Sequence, residues 1–460
     1  MHPILILLLG MAVVIGGIVR FKLNAFLALL LAAILVSLLA PGEAAEKITR
    51  VAAAFGSTAG TIGVVIALAA ITGSAMKESG AADRIVVAFL SLLGEKRAAA
   101  ALACGGYVLA IPVFFDTVYF LLVPLAKSTY RRTGHDYLKY VMAIPAGGVP
   151  THCLVPPTPG PLAVAGILGV DLGMMVMMGG VIAVPAAIAG LAFTGWLAKR
   201  LVIPLREPET EASPDASPAL PQPTSLPPLL PSLLPIILPV VLIASNTIAS
   251  SLAADTGSGF WAGLMPYTAV AGNPNFALLI AAGIAMWVHA AQRRPSREQA
   301  ASLVEEALMS GGIIILITAA GGAFGAMLRE AQIGPMIQGL FSGGVAGSGV
   351  LFLLLGFAVS SLLKFAQGSS TVAMITSAGM LTAMITGPDM LPFHHVYLAA
   401  AISSGAMVGA WMNDSGFWVF ARMSGLTEME GLKTFTPLLA VGGITALLAT
   451  IALALLLPLR

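Results

Sequence analysis

The sequence predicts an all-α polytopic membrane protein built from two inverted-topology repeats, each with a re-entrant helical hairpin and an interrupted transmembrane helix. Three observations predict it. Hydrophobic residues make up 58% of the 460-residue chain and charged residues only 10%, whereas a soluble domain carries about 25% charged residues. Apolar runs of about 18 residues or more, enough for a helix to cross the bilayer, recur along the whole chain. Short motifs of the first half return, in the same order, in the second.

Apolar runs near 2–19, 25–40 and 57–76 read as the first spans. The start, His2-Pro3-Ile4, has neither a basic segment before its apolar run nor an Ala-x-Ala cleavage pattern, so it reads as a span rather than a removable signal. The stretch 98–126 is long for one crossing, yet two crossings need about 40 residues. Lys96 and Arg97 precede it, and Lys127, Arg131 and Arg132 follow it. Its middle, Ile111-Pro112-Val113-Phe114-Phe115-Asp116-Thr117, carries a proline and a lone carboxylate. A hairpin that enters and leaves on one side satisfies all of this, since irregular backbone survives at membrane depth only where it lines a protein cavity. Glycines and prolines then interrupt the helix expected over 138–168, and a run at 173–198 closes the first half.

Ten of the thirty prolines lie within 204–235, together with Glu207, Glu209, Glu211 and Asp215. Residues 204–230 are therefore expected to form a solvated, extended cytoplasmic linker between transmembrane units 1–203 and 231–460. The second unit shows runs near 232–253, 275–292, 308–328 and 436–457, a block at about 345–387, and an interrupted run at about 395–421.

Charge sets the expected orientation. Placing 20–24, 77–97, 127–139, 199–206, 293–297 and 422–433 in the cytoplasm puts 18 of the 23 lysines and arginines there, as the positive-inside rule requires, with both termini outside. The halves echo each other in that frame. Gly73-Ser74-Ala75-Met76-Lys77-Glu78 returns as Gly325-Ala326-Met327-Leu328-Arg329-Glu330, Thr117-Val118 as Thr371-Val372, and Gly169 as Gly425. On length alone 345–387 fits two full spans; the repeat makes it a hairpin with its tip at Lys364–Thr371, entering from the opposite side. Inverted repeats whose broken elements meet near the midplane are a recurring plan of secondary transporters.

Four irregular segments at membrane depth hold the candidate chemistry. The first tip offers Asp116 and Thr117; the second offers Lys364, Gln367, Gly368, Ser369, Ser370 and Thr371. One interrupted helix contributes Thr151, His152 and Thr158, and its counterpart Asn413, Asp414 and Ser415. Broken helices present N–H groups and positive dipole ends to an anion, which suits a small carboxylate better than an apolar solute. Asp116 and Asp414 are candidates for proton coupling, because an intramembrane carboxylate is costly and functional by default; each also fits a helix cap. Lys364 suits either a substrate anion or one of these two carboxylates. His152 fits a satisfied core histidine as well as a proton carrier. The hydroxyls of Ser369, Ser370 and Thr371 can cap a half-helix and bind a ligand together.

A net charge of +2 implies no nucleic-acid partner. Cys104 and Cys153 read as small buried packing residues rather than a disulfide or metal pair, and no metal site is expected. An intramembrane protease would need a Ser–His or paired-Asp constellation; Asp116 and Asp414 form such a pair only on paper, and the repeat has no part in that chemistry. A transporter, not an enzyme, is therefore expected, with an anion channel as the other alternative.

At these residues the chain resembles the GntP gluconate permease family of the ion-transporter superfamily. The resemblance runs from Arg20-Phe21-Lys22-Leu23-Asn24 through Ser79-Gly80-Ala81-Ala82-Asp83-Arg84-Ile85 and the Pro112–Asp116 tip. It continues through Thr151-His152, Pro156-Pro157, Ala366-Gln367-Gly368-Ser369-Ser370-Thr371-Val372-Ala373 and Asn413-Asp414-Ser415-Gly416-Phe417-Trp418. It implies proton-coupled uptake of gluconate or a related sugar acid, with small hydroxy amino acids such as D-serine the alternative cargo. It also implies no cofactor beyond the ion gradient, sodium being the other coupling ion to consider. A homodimer in the lipid of the bacterial cytoplasmic membrane is expected. Two positions depart from the family pattern: Thr158 stands where histidine is common, and Ala410-Trp411-Met412 where Ser-His-Val is common.

Overall fold

The computed structural model describes residues 2–94, 97–112, 114–206, 226–256, 259–332, 349–385, 390–412 and 414–459. Among them every regular element is helical. The first half contains α1 (Pro3–Ile15, extended by a π-turn over Gly16–Arg20), α2 (Ala25–Leu39), α3 (Glu46–Ser79), α4 (Ala81–Leu93), α5 (Ala98–Leu109), α6 (Phe115–Thr133), α7 (Tyr137–Leu154), α8 (Pro159–Leu168) and α9 (Leu172–Ala198). The second contains α10 (Leu229–Thr256), α11 (Gly259–Ala271), α12 (Pro274–Arg293), α13 (Arg297–Glu330), α14 (Gly349–Gln367), α15 (Ser370–Thr382), α16 (His395–Gly405), α17 (Ser415–Met423) and α18 (Glu428–Leu456). Residues 207–225, most of the expected linker, lie outside the described residues.

Six described helices are long and apolar enough to cross a membrane: Glu46–Ser79, Leu172–Ala198, Leu229–Ser250, Pro274–Arg293, Arg297–Glu330 and Glu428–Leu456. Large apolar side chains stand exposed on their outer faces, among them Val181, Val184 and Ile188 on α9 and Ile444, Leu448 and Leu455 on α18. A surface of this kind is stable against acyl chains and not against water. The protein is a multi-pass membrane protein.

Local chemistry sets the helix ends. Asn24 accepts from the Phe26 N–H at the head of α2, and Asp171 from the Met174 N–H at the head of α9. Capping boxes open α13 (Ser296 with Gln299) and α18 (Thr427 with Glu430), each satisfying two otherwise orphaned donors. At the far end of α2, Arg50 donates to Ser37 Oγ, Ser37 O and Pro41 O, and Lys47 to Leu38 O. Those contacts explain why α3 begins at Glu46, well before its apolar core.

The halves share one element order. α2 answers to α12, α3 to α13 (34 residues each), α5 and α6 to α14 and α15, α7 and α8 to α16 and α17, and α9 to α18. Packing between halves is reciprocal: α3 meets α12 while α13 meets α2, and α8 meets α15 while α17 meets α6. The corresponding helices α3 and α13 pack directly together. Along their contact Thr58 lies opposite Gly322, Gly63 opposite Ile315 and Ala70 opposite Gly311, so the two helices run in opposite directions. Two glycines hold equivalent close approaches. A Cβ on Gly147 would sit 1.9 Å from the Ala103 carbonyl oxygen, and one on Gly405 would sit 2.2 Å from that of Phe357. Only a glycine lets the backbone of α7 touch α5, and that of α16 touch α14, so closely.

Several expectations needed revision. The segment 77–97, expected as a loop on the strength of its charges, contains α4, whose Ala81, Ala82 and Ile85 are buried. The helix α11 falls where no span was expected, and α6 continues past Lys127, Arg131 and Arg132 to the left-handed cap at Gly134. Cys153 is buried but Cys104 is exposed, because α5 turns Ala103 and Gly106 towards α7 and leaves the neighbouring thiol outside.

Candidate functional site

Each of the four expected irregular segments falls between two helices: α5 and α6, α7 and α8, α14 and α15, and α16 and α17. The prolines and glycines responsible are local. Gly368 adopts φ +82° and Gly409 φ +90°, left-handed backbone that costs a glycine little. Residues at or beside all four breaks line one cavity of about 350 Å³. Its polar wall holds Asp116, His152, Lys364, Ser369, Ser370, Thr371, Asp414 and Ser415.

Lys364, 2% exposed, is the cation of this wall. Its Nζ donates to Asp414 Oδ2 at 2.5 Å and to the Gly368 carbonyl at 2.7 Å. Two of the three ammonium donors are thereby used. Asp414 is 7% exposed and caps α17, its Oδ1 accepting from the Gly416 N–H at 2.8 Å. Of the two partners open to Lys364 on sequence grounds, the structure pairs it with this carboxylate. Asp116 stands in the first turn of α6, half-buried, with no hydrogen bond or ion pair among the described residues. Ser369 caps α15 through the Val372 N–H at 3.3 Å. The N-termini of α6, α15 and α17 thus all open at the cavity, and each presents the positive end of its dipole there. Nδ1 of His152 is buried without a hydrogen-bond partner among the described residues.

Other expected site residues fall elsewhere. Thr151 is buried and donates to the Gly147 carbonyl one turn back. The Thr158 hydroxyl lies within hydrogen-bond distance of the carbonyls of both His152 and Val155 and donates its one proton between them, bracing the α7–α8 break. Neither they nor Thr117 line the cavity. The Gln367 side chain and Asn413 lie outside the described residues. Sequence reasoning did not single out the apolar wall, Phe114, Phe115, Val149, Phe435 and Leu439, or the Cys153 that stands beside His152. An unbroken apolar run distinguishes a cavity wall from a lipid face only when its packing partners are known. The two departures from the family pattern are also placed: Trp411 stacks on Phe365, with ring centroids 5.3 Å apart, and donates to its carbonyl at 2.8 Å. Like Thr158, it braces a break from outside the cavity.

Among the described residues no group of His, Cys, Asp and Glu is arranged to hold a metal ion. Broken membrane helices meet here around a hydrophilic, charge-bearing cavity, and the family and relatives that the chain matches are permeases, not enzymes. The chain belongs to the GntP family of permeases, whose model, "GntP family permease", matches residues 2–456. It is 31% identical to a gluconate permease of Pseudomonas aeruginosa over 99% of both chains. It is 29% identical to the Gnt-II system L-idonate transporter of Escherichia coli over 98% of this chain and 99% of that one. The fold is similar to the solved YdaH transporter of Alcanivorax borkumensis, with a TM-score of 0.65 at 15% identity, covering 94% of this chain and 98% of that one.

Proposed function

We propose that the protein imports a small hydroxylated organic acid, gluconate or a related sugar acid, across the bacterial cytoplasmic membrane by proton symport. One observation carries the reading: four helix breaks converge on a single cavity that offers one buried ammonium, three helix N-termini and a cluster of hydroxyls. The ammonium and dipoles suit a carboxylate, and the hydroxyls of Ser369, Ser370 and Thr371 suit a polyol chain. A volume of about 350 Å³ falls within the range of small-molecule sites. Relatives named for gluconate and L-idonate transport support the same substrate class. Asp116 and Asp414 are the carboxylates available for the coupling proton.

The antiparallel pairing of α3 with its counterpart α13, and the reciprocal packing of the halves, support two inverted repeats with α5–α6 and α14–α15 as re-entrant hairpins. We further propose alternating access, by elevator or rocking motion, in which each hairpin arm, held against its broken helix by the glycine contacts of α5 with α7 and of α14 with α16, moves with it. Uptake of radiolabelled gluconate into proteoliposomes tests the reading. An inward proton gradient should drive accumulation above the external concentration, and a protonophore should abolish it. Failure to accumulate any sugar acid, or accumulation on a sodium gradient alone, would refute it.

A further inference from the structure

The cavity keeps a close balance of charge. Its charged and titratable groups are Asp116 from α6, His152 and Cys153 from α7, Lys364 from α14 and Asp414 at the head of α17. The one ammonium is already committed to Asp414 in a pair whose side chains are 3% and 10% exposed. A substrate carboxylate that enters must share this cation with Asp414 or take it away. Sharing leaves two carboxylates on one ammonium with Asp116 close by, and like charges this near, shielded from water, do not all stay ionised.

We propose that substrate and proton are coupled by partner exchange at Lys364: the incoming carboxylate replaces Asp414 on the ammonium, and the released Asp414 takes up one proton. The inference rests on the proposed substrate class and gives it two further properties. Bonds and charges balance, since one ion pair breaks, one forms, and the proton that joins an Asp414 oxygen cancels the charge of the anion. The bound cargo is therefore one monocarboxylate with one proton, an electroneutral load. A dicarboxylate brings a second charge that no other side-chain cation of the described wall can meet, so it should bind more weakly than a monocarboxylate. Asp414 remains held after release, because Oδ1 keeps the Gly416 N–H while Oδ2 carries the proton.

Calorimetric titration of the purified full chain with gluconate, in two buffers of different ionisation enthalpy at neutral pH, counts the protons taken up per anion bound. The exchange requires about one for the native protein and none for Asp414→Asn, which must still bind gluconate. Above the pH at which the site fills with its proton, native affinity should fall about tenfold per pH unit, while that of Asp414→Asn stays level. Gluconamide, which has no charge, supplies a second measurement on the native protein should the variant not fold, and must bind without proton uptake. The exchange is overturned if Asp414→Asn still takes up a proton, if gluconamide takes up as many as gluconate, or if binding needs sodium and moves no proton. Tight binding of a six-carbon dicarboxylate would refute the charge count alone. Absence of binding by gluconate and every other hydroxylated monocarboxylate would remove the proposed substrate class, and the exchange with it.

Discussion

Replacing Lys364 by methionine keeps a long apolar stem but strands Asp414 in the protein interior, and the size of the penalty follows from the structure. The carboxylate is 7% exposed and would retain only the Gly416 N–H. Removing one partner of a buried ion pair costs about 3–5 kcal/mol. The expected loss for Lys364→Met is therefore about 3–5 kcal/mol at pH 7. Adding Asp414→Asn removes the charge yet keeps a good capping side chain for α17, so the double variant should regain most of the loss at pH 7. Equilibrium unfolding in mixed detergent micelles, followed by circular dichroism, measures all four corners of the cycle. A double variant no more stable than Lys364→Met would refute the assignment of Asp414 as the partner of Lys364.

Further consequences are open to direct measurement. Gly147→Ala and Gly405→Ala place a methyl against a carbonyl oxygen and should each cost about 1–3 kcal/mol, read as a lower melting temperature. Gly195→Ala, with nothing within 4 Å of the new carbon, should be neutral or stabilising by up to about 1 kcal/mol. In proteoliposomes Asp414→Asn should lose uphill accumulation driven by a pH gradient and keep counterflow exchange, which moves no net proton. Ser370→Ala should weaken gluconate binding by about 0.5–1.5 kcal/mol, the net worth of one hydrogen bond, measurable by titration. A single cysteine at position 127 should react with an impermeant reagent only from the cytoplasmic side; labelling from outside in intact cells would reverse the proposed orientation.

The breaks were legible because proline and glycine leave explicit marks: Pro112, Pro156-Pro157, Gly368 and Gly409 each stand in a gap between helices. The residues facing the cavity were legible where they were polar, since no other Asp, Glu, Lys, Arg or His stands within five residues of Asp116, His152, Lys364 or Asp414. Partner choice was not. Lys364 and Asp414 are 50 residues apart, and only the approach of α14 to the head of α17 selects that carboxylate over Asp116. Hydroxyls were ambiguous for a different reason. Thr151 and Ser369 both lie beside breaks, but the first spends its hydroxyl on a carbonyl in its own helix, while the second turns towards the cavity. Amphipathic α4 was not legible because Asp83 and Arg84 interrupt its apolar face, so that Ala81, Ala82 and Ile85 form no run long enough to read as a span.

The reciprocal packing of the halves contrasts with the chemistry at their meeting point. Lys364 answers by register to Ala110, Asp414 to Thr158, and Asp116 to Ser370. Backbone symmetry therefore coexists with a chemically one-sided centre, in which both members of the ion pair come from the second half. Two identical halves meeting about the same axis would bring either two lysines or none to the meeting point, and either two aspartates at the broken-helix caps or two threonines. On the inverted repeat proposed above, the ammonium of the described wall depends on the halves having different residues at equivalent positions, and neither half, paired with itself, could rebuild this site.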